Sequence, residues 1–177
     1  IGLITPEVKE AGLDMIPTSS TINQLSIGDA LAISTLKKKK INNLDFKRYH
    51  PSGSLGEKLK TAEDLMLTKN KIPFIDENIS MIKALKIMTE KKLGTLIAQN
   101  KKKFTTGIIT DGQIRKLNSK NVVMNLLKVK DVMTKNPIKI EKNTLATKAL
   151  SIMNEKKITS LCVYNQNRKS NTIGIIH

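Results

Sequence analysis

The amino-acid sequence predicts an α/β protein with a duplicated architecture. Short apolar stretches of strand length alternate with amphipathic stretches of helix length along most of its 177 residues. The segments 62–117 and 129–177 align with each other at an offset that drifts only between 64 and 67 residues. Residues 1–57 have no counterpart in this repeat. We therefore expect a separate N-terminal part, followed by two copies of one β-α-β-β-α unit.

A long helix is predicted in the N-terminal part, after the hydroxyl-rich stretch 17–21. Thr21 and Gln24 match the capping box that opens many helices, and the helix would end at the lysine run 37–40. Apolar residues lie on most of its sides, which is typical of a helix buried inside a larger domain. The N-terminal part is too short to cover it, so we expect its packing partners upstream or on another chain.

The segment 50–56 carries the one histidine in the interior of the chain. Pro51 restricts His50 to an extended backbone, and Gly53 and Gly56 are typical of a loop that turns sharply or admits a ligand at close range. An imidazole is well suited to proton transfer near neutral pH. A lone histidine in a loop is also a common surface residue, so the residues alone leave both interpretations open.

Each copy of the repeat predicts the same elements in the same order. An Asp-x-Met word leads, at 64–66 and 131–133, and Pro73 or Pro137 follows it. An amphipathic helix comes next, carried by Ile79, Ile82, Leu85 and Met88 in the first copy and by Leu145, Ala149, Ile152 and Met153 in the second. Two strands joined by a polar turn complete the unit: residues 95–98 with a strand that begins near Gly107, and residues 161–164 with one that begins near Gly174.

The two copies differ at their ends. The first continues through residues 110–116 into a further helix, whereas the sequence stops at His177, where the second copy would begin this helix. The chain also begins with Ile1 rather than Met, and no secretory signal is visible. We therefore expect a piece of a longer protein, with an incomplete second unit.

Composition excludes several functional classes. The net charge is +16, but 28 Lys, 15 Asn and 23 Ile indicate a bias toward A/T-rich codons, and only three Arg accompany the lysines. Because base readout prefers the planar guanidinium and single strands need aromatic platforms, we expect no nucleic-acid partner. No apolar stretch approaches the ~18 residues of a membrane span, so we expect no membrane partner. A single cysteine, Cys162, excludes a disulfide scaffold and a cysteine-based zinc site, and it fits a cytoplasmic protein.

The duplicated unit, with Asp-x-Met ahead of it and Gly-Ile-Ile-Thr-Asp-Gly at 107–112 behind it, resembles a tandem pair of CBS domains. The resemblance implies a ligand cleft between the two units, with a nucleotide or nucleotide-sugar regulator as its partner. The ribose-binding signature of that family is Thr or Ser followed three residues later by Asp, which places Thr110 and Gln113 in the cleft. Gln113 stands in place of the acid and lacks its charge. Thr110 is equally well interpreted as a helix N-cap.

A combination of short sequence motifs along the whole chain resembles the arabinose-5-phosphate isomerase family. These motifs are Lys-Glu-Ala at 9–11, Pro-Thr-Ser-Ser-Thr at 17–21, Gly-Asp-Ala-Leu-Ala at 28–32 and His-Pro-Ser-Gly-Ser-Leu-Gly at 50–56, followed by the two CBS units. The resemblance implies the C-terminal remnant of an SIS (sugar isomerase) domain, a doubly wound α/β fold, at 1–57. It implies CBS domains at 62–118 and, incomplete, at 129–177.

The resemblance also implies an activity, the interconversion of D-arabinose 5-phosphate and D-ribulose 5-phosphate through an enediol, which supplies Kdo for lipopolysaccharide or capsule. Glu10 and His50 match family residues implicated in catalysis, and the division of acid and base roles between them stays open. The helix start is suited to anions, so its hydroxyl residues are candidates for binding the sugar phosphate: Thr18, Ser19, Ser20 and Thr21. The resemblance implies a homotetramer, and it requires neither a cofactor nor a metal.

A second hypothesis makes the CBS pair a regulatory or nucleotide-sensing module attached to an SIS sugar-phosphate-binding protein of another chemistry. The His-Pro-x-Gly-x-Leu-Gly word at 50–56 favours the isomerase. The phosphate loop, a lysine and a further carboxylate of the SIS domain would lie upstream. We therefore expect the 177-residue chain alone to have no isomerase activity.

Overall fold

A computed structural model describes residues 2–12, 15–118 and 123–177. Ile1, on which the expectation of a cut start rests, lies outside the described residues. The chain separates into two compact units, Ile1–Tyr49 and His50–His177. In the described part of the chain, no helix combines the length and the apolar character that crossing a bilayer requires.

The first unit contains helices α1 (Ser19–Lys38) and α2 (Asn43–Tyr49), and its described residues include no strand. Helix α1 ends in the lysine run, as predicted. The predicted capping box of Thr21 and Gln24 is wrong, because the helix begins at Ser19 with Thr18 as its N-cap. The carboxylate of Glu10 accepts hydrogen bonds from N–H groups at this start, so the helix opens earlier than the local pattern indicates.

No residue of α1 is buried. Four of its large apolar side chains are at least half exposed, namely Ile22, Leu25, Leu31 and Ile33, whereas Ile27 and Leu36 are partly buried. The sequence predicts a helix buried inside a larger domain, and the described residues of this chain do not cover it. That its packing partners lie outside this chain remains a prediction.

The second unit opens with helix α3 (Gly53–Lys58), where the sequence predicts a loop. Gly53 has a φ of +77°, a conformation that L side chains rarely adopt, and the chain turns there into the helix. Gly56 is buried, and a Cβ on it would lie 2.9 Å from the carbonyl oxygen of His50. The close approach predicted at the glycines is therefore one between Gly56 and the backbone of His50, within the same chain.

Both repeats have the predicted order of elements. The first contains α4 (Ala62–Leu65), β1 (Phe74–Asp76), α5 (Met81–Lys91), β2 (Thr95–Gln99), β3 (Thr105–Thr110) and α6 (Asp111–Asn118). The second contains α7 (Val129–Val132), β4 (Thr134–Lys135), β5 (Lys139–Glu141), α8 (Ala146–Lys156), β6 (Leu161–Asn165) and β7 (Arg168–Ile176). Short 3-10 turns lie at Lys69–Lys71 and Met124–Leu126. Strand β7 begins well before Gly174, because Asn165 pairs with Arg168 and closes a tight hairpin.

The strands form two sheets, ordered β1-β2-β3-β4 and β5-β6-β7. In each sheet the first strand is parallel to the second, as a β-α-β crossover requires, and an antiparallel hairpin follows. Helix α8 packs on its core with the predicted Ala149, Ile152 and Met153.

The apolar face of α5 differs from the prediction. Because the helix begins only at Met81, Ile79 precedes it, and the buried face consists of Met81, Ala84 and Met88. Ile82, which the sequence places on this face, is 44% exposed.

The leading segment of each repeat pairs with the last strand of the other repeat, so the two segments are exchanged between the repeats. Leu67, after α4, pairs with Ile175 in the last strand of the second repeat, and Thr134 in β4 pairs with Ile108 in the last strand of the first. A buried cluster between the sheets draws residues from both repeats: Ile72, Ile97, Cys162 and Ile175. The two repeats therefore share this buried cluster, and a cleft lies between them.

Candidate functional site

Glu10 lies at the start of α1 in the first unit. Its carboxylate accepts hydrogen bonds from the Thr18 N–H at 2.7 Å, the Thr18 hydroxyl at 2.9 Å and the Ser20 N–H at 3.1 Å. The Thr18 hydroxyl oxygen in turn accepts from the Ala11 N–H at 2.8 Å. Hydrogen bonds from the Ser20 side chain and then the Thr18 backbone lower the pKa of Glu10 to about 2. At neutral pH the side chain is therefore an anion that accepts hydrogen bonds and donates none.

The structure brings together three of the residues that the sequence selects in this part of the chain, Glu10, Thr18 and Ser20. Ser19 is half-buried in the same turn, and Thr21 is exposed. The helix start is predicted to hold a substrate anion, and in this structure the N–H groups of Thr18 and Ser20 hold the carboxylate of the chain itself. Contact between these four hydroxyl residues and a sugar phosphate stays a prediction.

His50 lies ahead of α3 in the second unit, outside regular secondary structure, and its side chain is exposed. An exposed imidazole is accessible to a reacting group from outside the unit. Its catalytic role stays a prediction. Among the residues that the structure describes, no group of three or more His, Cys, Asp or Glu side chains is arranged to hold a metal ion.

A cleft of about 630 Å³ lies between the two repeats. Its walls come from the loop after α5 and the start of α6 in the first repeat, and from the segment before β5 and the loop after α8 in the second. Thr110 and Gln113, which the sequence assigns to a ligand cleft, both line it. The Lys, Arg, Asp and Glu side chains that line it are three cations and one carboxylate, namely Lys92, Arg115, Lys157 and Asp111, and the last residue of the chain, His177, lines it as well. The cleft is therefore positively charged at neutral pH, which favours an anionic ligand.

Every hydrogen-bonding position of the Gln113 amide is in use. Its nitrogen donates to the Thr134 hydroxyl at 2.7 Å and to the Val132 carbonyl at 3.3 Å. Its oxygen accepts from the Thr110 N–H at 2.8 Å and lies 3.4 Å from the Thr110 hydroxyl. The bond to the N–H is one half of a capping box, with Gln113 as the acceptor. The role of the Thr110 hydroxyl, as a helix cap or as a ligand contact, stays a prediction. Gln113 fastens the start of α6 to the leading segment of the second repeat.

The family model of the CBS domain matches the chain twice, at residues 62–120 and 129–177. The chain belongs to the CBS domain family. The matched segments are the two repeats, so the second unit contains a CBS pair and the cleft lies between its members. The solved structure of CBSX2 in complex with AMP has the same fold, with a TM-score of 0.57 at 22% identity over 66% of this chain and 88% of that one.

Curated relatives named arabinose 5-phosphate isomerase KdsD match the chain beyond the CBS pair. The protein of Francisella tularensis is 39% identical over 166 residues, which are 93% of this chain and 50% of the relative. The protein of Escherichia coli K12 is 35% identical over 179 residues, which are 100% of this chain and 54% of the relative. The chain thus spans about half the length of the curated relatives it matches. The predicted resemblance to this family is confirmed.

None of the charged residues of this cleft is predicted from the sequence. A signal exists for two of them, because Lys92 and Lys157 end the equivalent Glu-Lys-Lys words of the two CBS domains. Each follows the last residue of its helix with a left-handed backbone, at φ of 54° and 52°. Arg115 and Asp111 lie beyond the part of the repeat that has a second copy, so no internal comparison marks them.

Proposed function

We propose that the chain is the C-terminal part of an arabinose-5-phosphate isomerase, which interconverts D-arabinose 5-phosphate and D-ribulose 5-phosphate for the Kdo of lipopolysaccharide or capsule. One observation carries the proposal: relatives with that name align with 93–100% of the chain, and therefore with most of residues 1–57 as well as the CBS pair. A match confined to the CBS pair would indicate regulation alone, because one fold serves many functions. For the whole protein we propose a cytoplasmic homotetramer.

The proposed reaction moves a proton between neighbouring carbons of the sugar through an enediol, which requires a base at carbon and an acid–base partner at the oxygens. We assign proton shuttling or ring opening to His50. Glu10, whose pKa is lowered to about 2, is ionised at neutral pH and serves as an acceptor rather than a proton donor. The hydroxyl residues at the same end of α1 are assigned to the sugar phosphate: Thr18, Ser19, Ser20 and Thr21.

For the CBS pair we propose a regulatory role, with a nucleotide or nucleotide-sugar bound in the cleft between its members. The volume of about 630 Å³ is within the range of small-molecule sites. The excess of cations along its walls suits a phosphorylated ligand. The fold neighbour CBSX2 was solved in complex with AMP, which supports this class of ligand.

The test measures isomerisation of D-arabinose 5-phosphate by the whole protein, including the sequence upstream of Ile1, and by the 177-residue chain. We expect turnover by the whole protein and none by the chain alone, because the rest of the substrate site lies upstream in this proposal. His50→Asn in the whole protein should lower kcat about 10²- to 10⁴-fold. Tyr49→Phe, at an exposed neighbouring position, is the matched control and should keep kcat.

Three results would count against the proposal. No turnover by the whole protein would overturn the isomerase function. Near-normal kcat in His50→Asn would remove this histidine from the mechanism. Turnover by the 177-residue chain would show that the site needs nothing upstream.

A second candidate function is a CBS-regulated protein that binds a sugar phosphate through its SIS part without isomerising it. The hydrogen bonding of Glu10 favours this candidate, because its carboxylate already accepts bonds from Thr18 and Ser20 at the start of α1. Binding of D-arabinose 5-phosphate to the whole protein without turnover would select it over the isomerase.

A further inference from the structure

We infer that the cleft of the CBS pair holds its ligand by a phosphate group and makes no use of a ribose diol. The inference rests on the proposed regulatory role of this cleft and names the chemical class of its ligand, a phosphate monoester of a small organic molecule. It is carried by the hydrogen bonding of Gln113, by the position of Asp111, and by the cations that line the cleft.

A carboxylate grips a ribose diol because its two oxygens accept hydrogen bonds from neighbouring hydroxyls, and its charge strengthens both bonds. Gln113 occupies the position of that acid and carries no charge. Its amide is also fully engaged, with Thr134 and Val132 as acceptors and Thr110 as donor. A diol that displaced these partners would leave the Thr110 N–H and the Val132 carbonyl without them, which costs more than the new bonds return. Gln113 therefore joins the two CBS domains through its hydrogen bonds to Thr134 and Val132.

Asp111 is the one Asp or Glu side chain on the described walls of the cleft, and it does not replace the missing acid. Asp111 and Gln113 both line the cleft, at the first and third positions of α6. The Asp111 N–H donates to the Gly94 carbonyl at 2.9 Å. Its carboxylate lies against the same glycine, where an added Cβ would be 2.5 Å from Oδ2. Asp111 is thus held against the loop after α5.

The cationic side chains that line the cleft come from both repeats. Lys92 follows α5 in the first CBS domain, Lys157 follows α8 in the second, and Arg115 extends from α6. A phosphate monoester carries a charge of about −1.5 to −2 at pH 7 and offers three acceptor oxygens. Lysine and arginine form short, charge-assisted hydrogen bonds with such oxygens. Because cationic side chains outnumber Asp and Glu side chains three to one in this lining, it attracts the phosphate of such a ligand more strongly than its uncharged groups.

Calorimetry of the full chain with four probes tests the inference: AMP, 2′-deoxy-AMP, adenosine and D-arabinose 5-phosphate. We expect AMP and 2′-deoxy-AMP to bind with Kd values within about twofold of each other, and adenosine to bind at least tenfold more weakly. Tight binding of AMP identifies a nucleotide as the source of the phosphate. Binding of D-arabinose 5-phosphate in its place identifies a sugar phosphate, and either result supports the inference.

Paired variants locate the phosphate. Lys92→Asn with Lys157→Asn removes both charges and keeps the left-handed backbone, which asparagine tolerates. We expect it to weaken binding of the phosphorylated probe at least tenfold. Lys83→Gln with Lys86→Gln removes the same charge from exposed positions on α5 that do not line the cleft, and it should leave the Kd unchanged. If the Asn variant fails to fold, salt titration of the unchanged chain replaces it, and AMP must weaken with salt more steeply than adenosine.

Negative results distinguish failure of the phosphate inference from failure of the proposed regulatory role. A Kd for 2′-deoxy-AMP at least tenfold above that for AMP, or adenosine as tight as AMP, overturns the phosphate inference and leaves the regulatory cleft standing. Unchanged affinity in the folded Asn variant also overturns the inference. Failure of every phosphorylated probe to bind overturns both the inference and the proposed regulatory role, while the isomerase assay stays independent of this result.

Discussion

The side chain of Met66, in the leading segment of the first CBS domain, lies directly against Gly174 in β7 of the second, so closely that a Cβ on this glycine would overlap the thioether sulfur. The equivalent pair, Met133 against Gly107 in β3, repeats the arrangement. Both contacts join a leading segment to the last strand of the opposite domain. The contacts between each leading segment and the opposite domain therefore depend on glycine at positions 107 and 174.

We expect Gly174→Ala and Gly107→Ala each to lower the free energy of unfolding by about 1–3 kcal/mol, because the added methyl group displaces a packed methionine. Urea unfolding of the full chain measures this change. Gly112→Ala in α6 is the control, since its Cβ would meet nothing closer than the Thr110 hydroxyl at 3.9 Å. An alanine at position 112 should be neutral or stabilising by up to ~1 kcal/mol. Equal stability of the 174 and 112 variants would show that Met66 moves aside without cost.

Titration of Glu10 tests the geometry at the start of α1. Hydrogen bonds from Ser20 and Thr18 lower its pKa from 4.5 to about 2. Because the folded-state pKa is the lower one, the stabilisation is complete above pH 4.5 and is lost as the pH falls toward 2. We expect the carboxyl ¹³C resonance of Glu10 to titrate with a midpoint near 2, and Ser20→Ala to raise that midpoint toward 4.5.

The control for this titration is Thr21→Val, at an exposed position in the same turn, which should leave the midpoint unchanged. A midpoint of about 4.5 in the unchanged chain would contradict the capping of α1 by Glu10. The result also bears on the proposed mechanism, because a carboxyl with a normal pKa would be a stronger base.

The repeat made the CBS pair predictable from sequence. Two copies of one pattern fix the order of the elements, since each copy tests the boundaries of the other. The Asp-x-Met words mark real structural positions: Asp64 accepts from the Thr61 N–H at 2.6 Å, and Asp131 from the Lys128 N–H at 2.9 Å, so each caps the helix that opens its domain. The exchange of leading segments was not predictable, because periodicity shows which side chains are buried and not what buries them.

The features that sequence reasoning missed depend on contacts between residues that are distant along the chain. A local pattern selects Thr21 and Gln24 as a capping box, and a carboxylate contributed by Glu10 takes over that role. The signature of the family marks position 113, but the bond from Gln113 to Thr134 spans 21 residues and appears only in the fold. Local propensity is a weak guide wherever a long-range hydrogen bond competes with it.

Cys162 should be chemically inert in the folded chain. Burial raises the pKa of its thiol to about 11, and the thiolate is the reactive form. At pH 8 we expect alkylation by iodoacetamide to be at least about 100-fold slower in the folded chain than in denaturant. Mass spectrometry of timed samples measures both rates. Labelling of the folded chain at the denatured rate would contradict the burial of this residue in the shared core.

The pair Thr105 and Thr172 should contribute strongly to the docking of the two CBS domains. Their hydroxyl oxygens are 2.8 Å apart and buried, and the Thr172 N–H donates to the Thr105 hydroxyl at 3.2 Å. Thr105→Val removes the acceptor from both groups of Thr172, and a buried donor without a partner costs about 1–3 kcal/mol. We therefore expect Thr105→Val to lower the free energy of unfolding by at least about 2 kcal/mol in urea, whereas Thr105→Ser, which keeps the hydroxyl, should lose less than half of that.

A double-mutant cycle separates this hydrogen bond from the packing around it. Thr172→Val removes the other hydroxyl, and the variant with both substitutions lacks both groups. If the hydroxyls act as a pair, the losses of unfolding free energy in the two single variants should add up to about 1 kcal/mol more than the loss in the double variant. The reason is that the first substitution already leaves the other hydroxyl without its partner, so the second substitution costs less. Simple additivity of the two changes would show that each threonine acts through shape alone, and the buried hydrogen bond would then have no part in holding the domains together.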